Sequence, residues 1–125
     1  MSRKLIQEIF SLDKGIRYAA ILNHRGAHLE GGIRPGIKSL SPEEDDTKLF
    51  LQSTVSKGMS ESWVKYFDRL KFSIVAHERI TVFQFPFGEG VLLISAEPSV
   101  DLSIADRIDR LIEEETERKS KDSLR

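Results

Sequence analysis

The chain has 125 residues, of which 39% are hydrophobic and 31% charged. That is one domain's length, with enough apolar side chains to build a core and too many for a disordered chain. Lys and Arg number 19 against 20 Asp and Glu, for a formal net charge of -1, so no global field draws the protein to nucleic acid or to an anionic membrane. Cysteine is absent, which excludes disulfides, thiolate catalysis and thiolate metal sites and fits a cytoplasmic protein.

Leu5, Ile6, Ile9 and Phe10 recur at helical spacing, so residues 3–12 are predicted as a short amphipathic helix. Charge interrupts this segment too often for a signal peptide, and no apolar run in the chain approaches a membrane span. Asp13-Lys14-Gly15 breaks the helix. Ile16 to Asn23 then reads as a strand, with Ile16, Tyr18, Ala20 and Leu22 on one face. Ala19 and Ile21 keep the second face partly apolar, which suits a central position. Asn23-His24-Arg25-Gly26 reads as a hairpin turn, in which Asn23 bonds the backbone and Gly26 accepts positive φ. Ala27 to Ile33 returns with Leu29 and Ile33 inward and His28 and Glu30 outward, the pattern of an edge strand. Pro35-Gly36 reads as a type II turn, with Arg34 and Lys38 beside it as solvated residues.

Ser41-Pro42-Glu43-Glu44 is a capping box with proline at the first helical position, and Asp45 and Asp46 favour the same helix end. This helix is expected to reach Lys57 and to end on a left-handed Gly58. Met59, Trp63, Val64, Phe67 and Leu70 mark a second helical segment that starts near Ser60. From Lys71 the period becomes two. Lys71 to His77 is a strand with Phe72, Ile74 and Ala76 on one face, and Arg79 to Phe87 is another, with Ile80 and Val82 opposing Phe83 and Phe85. His77-Glu78-Arg79 joins them as a hairpin, and Pro86 is expected to end the ladder or to sit on an unpaired side. Gly88-Glu89-Gly90 turns the chain into Val91 to Ala96, apolar on both faces and so central. Ile104, Ile108, Leu111 and Ile112 line a last helix entered through Asp101 or Ser103. The residues from Thr116 onward are expected to fray, leaving one domain over 1–115 and a charged tail over 116–125.

Two strands and then three, joined by tight turns, predict an α+β fold: a five-stranded antiparallel sheet with helices packed on it. Placing the two most apolar strands side by side in the centre gives the order 2-1-5-4-3.

"RYAAILNHRGAHLEGG", the capped helix at "SPEEDD", and "ITVFQFPFGEGVLLISAEP" before the last helix together resemble roadblock/LC7 (profilin-like) domains. The chain is also similar to a set of small uncharacterised archaeal proteins that share a strand like "IRYAAILNHRG", a GG-x-R-x-G return and an LLIS-x-EP strand end. The resemblance implies a domain that dimerises and acts as a scaffold or a regulator of small GTPases. It assigns no GTPase-contacting residue in this sequence. The segment Met59 to Leu70 is longer than a minimal roadblock domain needs.

No catalytic signature is present. Gly31-Gly32 has neither dinucleotide-binding spacing nor a Walker lysine, and no serine sits in a nucleophile context. His24 and His28 flank the turn, but a zinc site needs a third ligand such as Glu30 or His77, and no spacing motif supplies one. The run Glu43 to Asp46 lacks the alternating ligands of a calcium loop. No cofactor is expected. Trp63, Phe67, Phe83, Phe85 and Phe87 are read as core, with a partner surface as the alternative.

The leading expectation is therefore a non-enzymatic interaction module that pairs with itself and with another protein. The alternative is a small-molecule sensor of PAS or GAF type, with a pocket between sheet and helices; an enzyme comes third. Dimerisation is expected through Phe50, Leu51, Val55, Phe72, Ser73 and Val75, because the helix at 42–57 has no single apolar stripe and the strand at 71–77 is a sheet edge. A proline at Ser73 or Val75 is the corresponding disruption.

Overall fold

A computed structural model describes residues 2–38 and 53–123. In chain order the elements are α1 (Ser2–Leu12), β1 (Ile16–Leu22), β2 (His28–Ile33), helical residues 53–58 (α2), α3 (Glu61–Phe67), β3 (Ser73–Ala76), β4 (Thr81–Phe87), β5 (Gly90–Ala96) and α4 (Ile104–Ser123). The strands form one antiparallel sheet in the order β2-β1-β5-β4-β3. The expected order holds for the expected reason. β1 and β5 carry apolar side chains on both faces, and only the middle of a sheet between two layers buries both.

On one face, Ala19, Ile21, Phe83, Phe85, Leu92 and Ile94 meet Leu5 and Ile9 of α1 and Ile104 and Ile108 of α4. On the other, Tyr18, Ala20, Leu22, Val82, Val91 and Leu93 meet Val55 of α2. We call these the α1/α4 face and the α2 face. The capping box at Ser41, and Phe50 and Leu51, lie outside the described residues.

Two bulges correct the expected strand faces. The β1–β5 register shifts between Ile16 and Tyr18, so Ile16 joins the α1/α4 core instead of sharing a face with Tyr18. Ile21 pairs with Glu30 and Leu22 with His28, which leaves Leu29 as the extra residue in β2. Expected inward, Leu29 is 60% exposed. A bulge inverts the alternation beyond it, and the apolar pattern of one strand does not register the insertion.

Gly58 remains helical and is not among the positive-φ glycines. A Cβ there would stand 2.9 Å from Leu70 Cδ2, so the glycine makes room for Leu70 instead of ending the helix by a left-handed turn. Pro86 lies within β4, two residues past Gln84, the last β4 partner of β3, and so occupies a stretch paired only with β5. α4 does not fray at Thr116 but continues to Ser123. Glu115 is buried and accepts from Arg118 at 2.8 Å, Arg118 lies 3.7 Å from Glu8 of α1, and the Thr116 hydroxyl donates to the Ile112 carbonyl at 2.9 Å. At the other end of α4, the Ser103 hydroxyl and backbone N–H hold the exposed Asp101 carboxyl below its ordinary pKa. A lowered carboxyl stabilises the fold above the ordinary aspartate range, and that stabilisation is lost as pH falls through the lowered value.

The β1–β2 turn is closed by Asn23. Its backbone N–H donates to the Ala27 carbonyl at 2.9 Å, and its side-chain oxygen accepts from the N–H groups of Arg25 and Ala27 at 2.9 and 3.0 Å. Gly26 sits at φ 82 and donates to the Asn23 carbonyl at 2.9 Å. Gly26→Val is expected to destabilise the fold by about 1–3 kcal/mol, whereas His24→Ala leaves it nearly unchanged. Urea titrations that give equal losses at both positions would assign His24 a role that its exposed place in the turn does not. The Pro35-Gly36 turn is closed by the Ile37 N–H on the Arg34 carbonyl at 3.3 Å, with Gly36 at φ 90.

Candidate interaction surface

α3 is a seven-residue helix with no buried residue. Trp63, Tyr66 and Phe67 are 55%, 74% and 70% exposed, and Met59 and Val64 extend the patch. The Trp63 and Phe67 rings stack with centroids 5.7 Å apart. The placement of Trp63 and Phe67 in the core is therefore overturned, while Phe83 and Phe85 are fully buried and Phe87 is partly so. Helical spacing of aromatic residues puts them on one face but does not specify what covers that face.

The chain leaves α3 through Asp68, whose φ of 64 and ψ of -163 turn it sharply. Leu70 then packs on the α2 face. Arg69 donates to Glu113 of α4 at 3.0 Å, and Arg69 and Lys71 each lie 3.9 Å from the buried Asp109 carboxylate. A groove of about 520 Å³ runs between the end of α2 and this link, with Trp63, Phe67 and Leu70 among its apolar walls.

β3 is the last strand of the sheet. The His77 N–H donates across the hairpin to the Ile80 carbonyl at 2.8 Å, and the register from Ala76 back to Ser73 is regular. Antiparallel alternation then directs the Ser73 and Val75 N–H groups at β4 and those of Ile74 and Ala76 at the open side. Prolines at Ser73 and Val75 would thus act on the ladder within the chain, and Ala76 is the exposed position at which proline blocks the edge. Of the other expected interface residues, Val55 is only 2% exposed in the α2-face core, and Phe72 is half-buried, its ring 5.7 Å from that of Phe85.

Of the basic pair beside the second turn, Lys38 is exposed as expected and Arg34 is not solvated. The Arg34 guanidinium donates to the carbonyls of Phe10, Asp13 and Ile16 at 2.8, 2.7 and 2.6 Å and lies 4.9 Å over the Phe10 ring. The Lys38 carbonyl accepts from Arg17 at 2.7 Å, and Arg17 pairs with Glu97 at 3.0 Å. These residues lock the end of α1 and the start of β1 together. His28 Nε2 lies 2.7 Å from the Gly31 carbonyl. Among the described residues, no three His, Asp or Glu side chains are grouped to hold a metal, and no helix is long and apolar enough to cross a membrane.

Residues 4–122 match the model of a family described as DUF6659, a family of unknown function. No curated protein matches the chain. Among solved structures, the chain is similar to the gliding protein MglB from Thermus thermophilus, at 17% identity and a TM-score of 0.64, over 89% of this chain and 87% of that one. It is similar to a roadblock/LC7 domain from Streptomyces avermitilis at 16% identity and a TM-score of 0.65, over 90% and 92%. Myxococcus xanthus MglB gives 8% identity and a TM-score of 0.69, over 95% and 94%. The strand order and both helical layers thus make up the roadblock/LC7 fold.

Proposed function

We propose that this chain, which belongs to the DUF6659 family and carries the roadblock/LC7 fold, is a non-enzymatic protein–protein interaction module that acts as a homodimer. The edge of β3, unpaired among the described residues, supports this reading most directly, because its outward N–H and C=O groups form a template for a second strand. Two copies related by a two-fold axis would pair β3 with β3 and extend the sheet. The further partner is another protein, and the roadblock resemblance makes a small GTPase its class.

Light scattering on the purified chain should give about twice the 14.2 kDa chain mass. Ala76→Pro should return it to the single-chain mass and lower Tm only to that of the dissociated wild-type chain. Val75→Pro, which also removes a bond to β4, should lower Tm below that value. A wild-type chain that stays monomeric at high micromolar concentration would overturn the dimer.

One observation favours the small-molecule sensor as a second reading. Gln84 is fully buried on the α2 face, and neither of its amide atoms has a hydrogen-bond partner among the described residues. Unpaired buried amides are rare and suit a ligand's polar edge. A ligand that raises Tm in the wild type but equally in Gln84→Met would rule that role out.

A further inference from the structure

We infer that α3 folds against a second copy of this chain, so that Trp63, Tyr66 and Phe67 are core residues of a dimer and not surface residues of a monomer. The inference rests on the homodimer reading above and names the element that reading lacks. An isolated helix of seven residues is far below the ~12–15 residues at which helices become marginal in water. Most helices in proteins are stabilised by an apolar face buried on the rest of the fold. α3 buries none of its residues against the described residues of the chain, and it leaves through a residue at φ 64, a conformation that non-glycine residues adopt only when their surroundings impose it.

The occupant follows from area, position and charge. Aromatic side chains of this size bury ~150–250 Å² each, so covering these three from their present exposures removes roughly 400 Å² per protomer. With Met59 and Val64 the sum is about 500 Å², or about 1,000 Å² for a two-fold pair, which is the lower bound of a specific interface. The four residues of β3 add to this area. The two patches are also contiguous: five residues separate Phe67 from Ser73, so one two-fold axis can engage both. Around the patch Arg69 and Lys71 stand beside Asp106 and Glu113. A surface carrying both signs can pair with itself, whereas the exposed carboxylates would repel an anionic bilayer.

Trp63 is the chain's single tryptophan, so its fluorescence reports on α3 alone. Over a dilution series followed by light scattering, the dimer should show Trp63 emission shifted to shorter wavelength and acrylamide quenching reduced at least twofold. Tyr66→Glu and Phe67→Glu, both at exposed positions and checked for folding by circular dichroism, should weaken self-association at least tenfold. A dimer whose Trp63 stays as accessible as in the monomer would overturn α3 as the interface and leave the β3 pairing standing. A chain monomeric at every concentration would overturn both. Protection of Trp63 only on vesicles of phosphatidylserine and phosphatidylcholine, without self-association, would show a membrane as the occupant and overturn the inference.

Discussion

Gly31→Ala is expected to lose about 4 kcal/mol of folding stability, with a fall in Tm on the order of 15 °C for a domain of this size. Two effects combine at this position. Gly31 sits at φ +88, where an alanine is strained by about 1–2 kcal/mol. Its added Cβ would also come within 2.1 Å of the Ala19 carbonyl oxygen, an atom of the paired strand that cannot rotate away. β2 would have to separate from β1 locally, which disturbs both the ladder and the bulge at Leu29. Gly32 is the internal control. It has φ +149, and a Cβ added there would meet nothing within 4 Å, so Gly32→Ala carries backbone strain alone. Thermal melts of the two variants should therefore differ by several degrees. Equal losses would mean that the β1–β2 approach is looser than the register implies.

Arg34→Ala is expected to lose about 3 kcal/mol, or on the order of 10 °C in Tm. The guanidinium closes three backbone carbonyls, two of them at and just beyond the end of α1, where helix carbonyls lack partners within the helix. Charged donors make bonds stronger than neutral ones, and the positive charge also complements the negative end of the helix dipole. Arg34→Lys keeps the charge but has no planar fork to reach three acceptors, so it should recover less than half of the loss. Chemical denaturation of wild type, Lys and Ala variants checks this order. If Lys equals wild type, charge at the helix end accounts for the effect and the three-carbonyl geometry does not.

The roles of Arg34 and α3 were not legible in the sequence, for different reasons. Arg34 stands beside a Pro-Gly turn and reads as a solvated cation, because nothing local shows that the turn folds it back across 24 residues onto Phe10. Trp63 and Phe67 are four apart, and that spacing is the same whether a helix packs on its own sheet or on another molecule. Val55 shows the reverse case. As one apolar residue in an uneven set it reads as a candidate for exposure, and the α2-face core takes it in.

The sequence by itself determined the element order, the antiparallel class, the central place of β1 and β5 and the edge positions of β2 and β3. Each of these depends on hydrophobic period and turn residues within a few positions, and a strand apolar on both faces has only one place in a two-layer fold. Tertiary structure alone decided the bulges that move Ile16 to the opposite face and Leu29 to the surface, the extension of α4 through Thr116, and the exposure of α3. Those outcomes turn on pairing between distant segments: a register set by two strands at once, a buried Glu115 that meets Arg118 near α1, and a helix for which the described residues provide no cover. A one-residue shift or a missing partner leaves the local periodicity of each segment unchanged, so only the assembled sheet and its layers distinguish the alternatives.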